Sequence, residues 1–149
     1  MYINGLTQET CRDLGHTQMA SGGMSNGAET ALIQGVDLYG AEQVRILAAF
    51  ELHAMYANQY LDVIGGSPPG TDPPSGWKPT TSWVCPGFSD GGGSVALGWE
   101  LAYNHYAVRK GIAMPQTKRV VERLRPASVG NHMEWETLTH AGTGSLGPP

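Results

Sequence analysis

A chain of 149 residues with a formal net charge of −4 is long enough for one domain with its own core, and it excludes a two-domain enzyme of ordinary size. Its mild acidity, without a basic stripe, argues against nucleic-acid binding, and no apolar run nears the ~20 residues that a membrane span needs. Glycine (21) and proline (10) are in excess and charged residues make up only 15%, so long loops and a weakly charged surface are expected.

Residues 1–12 read as an irregular lead, with neither the basic nor the apolar stretch of a signal peptide in MYINGLTQETCRDLGH. Asp13 is a good N-cap for a helix running to about Gln34, with Gly35 as its closing glycine. That helix carries Ala20, Ser21, Gly22, Gly23, Ser25, Gly27 and Ala28. Interior glycines cost roughly 1 kcal/mol each against alanine, so the pattern predicts close approach of a neighbouring backbone or a ligand, and an inner position. A second helix is expected from about Ala41 to Tyr60, with Val44, Leu47, Ala48, Leu52 and Met55 facing the core at three- and four-residue steps. Glu42 and Arg45 form an i, i+3 pair on its solvated side.

Between Asp62 and Ser94, 14 of 33 residues are Gly or Pro, which predicts a long loop, and Trp77, Trp83 and Phe88 suggest that it packs onto something. A third helix is expected from about Val95 to Lys110, stopping at Gly111, and a fourth between Pro115 and Pro126. HMEWETL can add a further turn or two. No strand alternation and no repeat are present, so the class is all-α. Cys11 and Cys85 have neither CxxC spacing nor a disulfide framework. Free buried thiols are the first expectation, with a single bridge as the alternative.

Several side chains could carry chemistry. Arg12 and His16 flank a helix start, where free N–H groups and the macrodipole favour an anion, and RDLGHTQ extends this corner to Gln18. The competing reading is a capping cluster in which Asp13 caps, Arg12 pairs with Glu9 and His16 bonds locally. On the third helix, α-helical spacing pairs Glu100 with Asn104, Tyr103 with Tyr106, and His105 with Arg109. Such a face is costly to bury without purpose, although polar tips around a core edge would also explain it. His53, Tyr56 and Tyr60 read as an aromatic packing stripe. His132, Glu136 and His140 lack HExxH spacing, so neither a metal nor a cofactor is expected. Glu9, Glu51, Glu100, Glu134 and Glu136 provide no spacing that selects a catalytic pair.

The strings GLTQETCRDLGHTQM, AETALIQGVDLYG, RILAAFELHAMY, WELAYNHYAVRKGIAMPQTKRVVERLRP and HMEWETLTHAG, in that order, resemble the alginate lyase family of polysaccharide lyases across nearly the whole chain. The resemblance implies an all-α incomplete toroid of paired helices around a cleft, and an exported enzyme, periplasmic or secreted, that cleaves uronic-acid polysaccharide by β-elimination without a cofactor. It implies His16 as the first catalytic residue, with Tyr106 or Tyr103 as the phenol and Tyr56 as a third candidate. Arg12, Gln18, Asn104, His105 and Arg109 are implied to bind substrate. A full toroid needs about a dozen helices of roughly 11–12 residues, so the chain reads as the C-terminal portion of such a lyase, lacking N-terminal helices and export signal. Weak or absent activity and self-association through an uncovered wall follow as expectations. Two other classes compete: a carbohydrate-binding remnant stacking sugars on Trp77, Trp83 and Trp99, and a glycoside hydrolase on a similar scaffold.

Overall fold

The structure, a computed structural model, describes residues 1–64, 98–126 and 136–141. Every regular element among the described residues is helical, in agreement with the all-α class. The turn-rich lead feeds α1 (Leu14–Ile33), whose N-cap Asp13 accepts the His16 amide, one of the donors that a helix start leaves without an intrahelical partner. Beyond its other end Gly35 takes a φ of +82°, the left-handed geometry that closes a helix and costs glycine nothing.

A short turn, α2 (Leu38–Ala41), is capped by the Asp37 carboxylate and leads into α3 (Gln43–Ile64). The latter runs past Tyr60 because Asp62 still has partners there: Arg119 and Arg123 donate to it at 2.7 and 2.9 Å. Its buried face also differs from the expected aliphatic stripe. Val44 is 60% exposed and Leu47, Ala48, Leu52 and Met55 are only partly covered, whereas Ile46, Phe50, His53, Tyr56, Ala57, Asn58 and Tyr60 are buried. Counting aliphatics alone missed a face built of rings whose polar tips find partners inside. The aromatic stripe of His53, Tyr56 and Tyr60 is therefore a core feature, as expected.

The expected third helix is α-helical only over α4 (Glu100–Tyr103) and then widens into a π-helix over Asn104–Arg109; Val95–Leu97 lie outside the described residues. Such i→i+5 winding breaks the i, i+4 pairings inferred from α-helical spacing. A non-helical link then leads to α5 (Pro115–Leu124), with proline in its first turn. The Glu51 carboxylate of α3 accepts the Gln116 and Thr117 amides at 3.0 and 2.9 Å, a cap supplied from another helix. The last element is α6 (Glu136–His140).

Helices α1 and α3 are antiparallel: Thr10, just before α1, bonds to His53 in mid-α3, while Ala28 near the end of α1 shares a groove wall with Ile46 at the start of α3. The α4–π segment and α5 form a second antiparallel pair, because Arg125 past the end of α5 bonds to Glu100 at the start of α4. The two pairs meet at a close backbone approach. A Cβ on Gly98, whose φ is +111°, would lie 2.8 Å from the Gly22 Cα. One of the small residues of α1 is thereby explained. Gly23 and Gly27 are exposed, so α1 is not the wholly internal helix that its composition suggested.

The core gathers Tyr39, Phe50, Tyr56, Tyr60, Trp99 and Tyr106. Two of these phenols are satisfied by carbonyls, Tyr39 Oη donating to Ser25 at 3.0 Å and Tyr106 Oη to Tyr39 at 2.8 Å, as buried polar groups require. Cys11 is disulfide-bonded, which replaces the expected free thiol. Cys85, like Trp77 and Trp83 of the expected loop, lies outside the described residues.

Candidate functional site at the start of the first helix

The corner before α1 is built by short-range bonds. Asp13 divides its two oxygens: Oδ1 accepts the His16 amide at 2.7 Å and Oδ2 lies 2.6 Å from His16 Nδ1. Thr17 Oγ1 donates to the Glu9 and Asp13 carbonyls at 3.0 and 2.9 Å, which locks the turn between them. Arg12 stands 3.5 Å from Glu9. These are the contacts of the capping cluster, and they also do something more. A carboxylate facing Nδ1 fixes the proton there, so Nε2 is the nitrogen with a lone pair. The His16 side chain is 39% exposed and that of Arg12 59%, whereas Asp13 is buried. A carboxylate-oriented base beside an accessible guanidinium is the result.

His53 supports this corner from below. Its Nδ1 faces the Ala49 carbonyl at 2.7 Å and therefore carries the proton, so Nε2 accepts from Thr10 Oγ1 at 2.9 Å. Burial holds this imidazole down to a pKa of about 4, since a charged ring would lose its hydration.

The other expected site residues lie elsewhere. Gln18 is buried, and its amide donates to the Leu14 carbonyl at 2.9 Å. Tyr106 is 1% exposed with its hydroxyl given to a carbonyl, so the packing of the core, not the surface, uses that phenol. Tyr103 is half-buried at the core edge. His105 stacks on Tyr39 with ring centroids 4.0 Å apart, and Asn104 donates to the His140 carbonyl at 2.5 Å. Arg109 is 3.6 Å from Glu29, so its charge is already opposed. Trp99 is buried edge-on against Phe50 at 5.8 Å and offers no face for a sugar.

Helix geometry separates the two groups. From His16 to Glu29 is roughly 20 Å along α1 at about 1.5 Å per residue, and roughly 220° around it at 3.6 residues per turn. The Arg12–His16 corner and the Asn104–Arg109 seam therefore occupy different ends and nearly opposite sides of α1. Only Arg12 and His16, of the eight expected site residues, come together as an open pair. Residues not singled out from the sequence, Glu29 and His140, join the second seam at 3.6 Å from one another. The signal that could have found Glu29 is its place on one helical stripe with Gln18, Ser21 and Ser25.

A groove of about 630 Å³ runs between α1 and α3, lined by Met24, Gly27, Leu38 and Ile46 with Glu42 and Arg45 among its walls. Its one charged pair is mutually satisfied at 2.6 Å, and no imidazole or phenol faces it. Among the described residues no three His, Cys, Asp or Glu side chains gather closely enough to hold a metal, and no helix is long and apolar enough to cross a membrane. No family model, curated protein or solved structure matches the chain.

Proposed function

We propose that this protein is a polysaccharide lyase acting on a uronic-acid polymer at the Arg12–His16 corner. The observation that carries the reading is the Asp13–His16 contact of 2.6 Å, which makes a part-exposed imidazole a base beside an open arginine, within the same RDLGHTQ string that resembles the alginate lyase family. In β-elimination Arg12 offsets the charge that builds on the uronate carboxylate as the adjacent C5–H bond weakens. His16 Nε2 takes that proton, the electron pair becomes the C4=C5 double bond, and the C4–O bond to the leaving sugar breaks. A phenol returns a proton to the departing oxygen. Tyr103 fits that role better than Tyr106, whose hydroxyl is committed inside the core.

Two further features agree with the reading. The antiparallel pairs α1/α3 and α4–π/α5 are the unit from which a toroid of paired helices is built. A disulfide at Cys11 suits an exported protein, since such bonds persist in oxidising compartments.

The test is incubation of the chain with alginate and with polyglucuronate, following the ultraviolet absorbance of unsaturated uronate ends. Slow formation of these ends, abolished by His16→Ala, is the expected result. Saturated reducing ends alone would identify a hydrolase, and turnover that survives His16→Ala would remove the assigned base. No turnover of any polyuronate would sink the reading.

A further inference from the structure

The short helix α6 is attached to the body in an unusual way. Its one large apolar side chain, Leu138, is 76% exposed, and the side chain that it buries most deeply is a carboxyl, Glu136, at 3%. Apolar burial, the ordinary source of attachment for a helix, is thus nearly absent. Three polar contacts fasten it instead. Glu136 Oε2 accepts the Glu100 amide at 3.3 Å, the His140 carbonyl accepts from Asn104 Nδ2 at 2.5 Å, and His140 Nε2 stands 3.6 Å from Glu29.

The closed arrangement is also under-satisfied. Glu136 Oε1, Asn104 Oδ1, His105 Nδ1 and Glu29 Oε2 are all buried with no hydrogen-bond partner among the described residues. A buried polar atom left unpaired carries a desolvation cost that water would relieve. All four belong to α6 or to the seam it covers.

We propose that α6 is a detachable strap, closed over the Asn104–His105–Glu29–Arg109 seam in mild acid and released as the solution becomes neutral. The titrating group is Glu136. Around it, α4 presents Glu100, which Arg125 beyond α5 neutralises in a two-point ion pair. Its own helix presents His140, and α1 and the π-helix present Glu29, Arg109 and His105 near the far end of α6.

Burial pushes the Glu136 carboxyl up to about 7, and the nearby Glu100 adds to the rise. Closed α6 therefore prefers protonated Glu136, while released α6 lets it ionise at an ordinary carboxyl value. Closure is fully favoured below that ordinary value, weakens as pH rises towards 7, and is weakest above it. Glu29 sets the opposite limit. Its carboxyl is held below the usual range by the His140 hydrogen bond first, and by Arg109, so its pairing persists through mild acid.

The proposal is independent of any enzymatic activity. It is tested by hydrogen exchange on the intact chain, reading protection factors at about pH 5 and about pH 8 for the His140, Ala141 and Glu100 amides, with the α3 amides as the internal standard. Opening of α6 should rise on the order of a hundredfold between the two while α3 stays unchanged. Glu136→Gln, which cannot ionise, should hold opening near its acid-side value at both. Asn104→Ala should raise opening at both and leave the ratio between them intact, which separates a loosened strap from a lost titration. Equal protection of α6 at the two pH values in the unaltered chain would overturn the proposal, as would an unchanged ratio in Glu136→Gln.

Discussion

Asp13 holds two jobs on one carboxyl group, and the two can be pulled apart. Asp13→Asn keeps an N-cap of nearly equal quality, so thermal unfolding should move by less than about 0.5 kcal/mol, whereas Asp13→Ala should cost about 1 kcal/mol. Polyuronate elimination should fall by on the order of 10²–10⁴-fold in Asp13→Asn, because an amide no longer stabilises the imidazolium or fixes its tautomer. A Tm that drops in step with activity would show that the cap alone is at work. His53 gives a second residue-scale expectation. Its pKa is depressed from 6.5 to about 4, so the stability it contributes is complete above 6.5 and is lost as pH falls towards 4, by about 3 kcal/mol at most. Urea midpoints measured across that window should fall in the native chain, and the fall should be much smaller in His53→Gln. The short-range corner was legible in the sequence because Asp13, His16, Glu9 and Arg12 interact over three residues, where helix periodicity is a reliable guide. The burial of Gln18 and Tyr106 was not, since it depends on partners far along the chain, Tyr39 among them.

At the scale of elements, the helix boundaries with chemical punctuation were readable. Asp13, Gly35, Gly111 and Pro115 each mark an end where the structure has one. The interior of the third helix was not readable, because π-winding is imposed by packing: Tyr106 reaches the Tyr39 carbonyl and Arg109 reaches Glu29 only with the wider turn in place. The contact between the helix pairs is testable at Gly98. Alanine there meets the Gly22 backbone at 2.8 Å while being held at a φ of +111°, so Gly98→Ala should destabilise by about 1–3 kcal/mol. Gly27→Ala meets nothing within 4 Å and should stabilise by up to about 1 kcal/mol through helix propensity. Thermal melts of the two variants shifting in the same direction would contradict this account of the α1 glycines.

Across the whole molecule, the disulfide at Cys11 anchors the lead that positions the Arg12–His16 corner. Reduction should lower stability by about 2–4 kcal/mol, read as a shift of the unfolding midpoint with and without reductant. An unchanged midpoint would mean that the lead is held by His53 and the Thr7–Thr10 turn alone. Two cysteines without a motif could not reveal this bond, since pairing is a property of three-dimensional proximity.

The π-helix has a consequence of a different kind, concerning which changes of chain length the protein can survive. Its six residues, Asn104–Arg109, lie between a start tied to Glu136 and an exit tied to the link before α5. Removing one residue, for instance Ala107, would let the segment rewind as an ordinary helix, and so would conserve helicity. It would also turn everything after it by roughly 100°, carrying Arg109 away from Glu29 and unseating α5 from the Glu51 cap. A point substitution at Ala107 is a local event, but a deletion there is a change of register for the half of the molecule that follows.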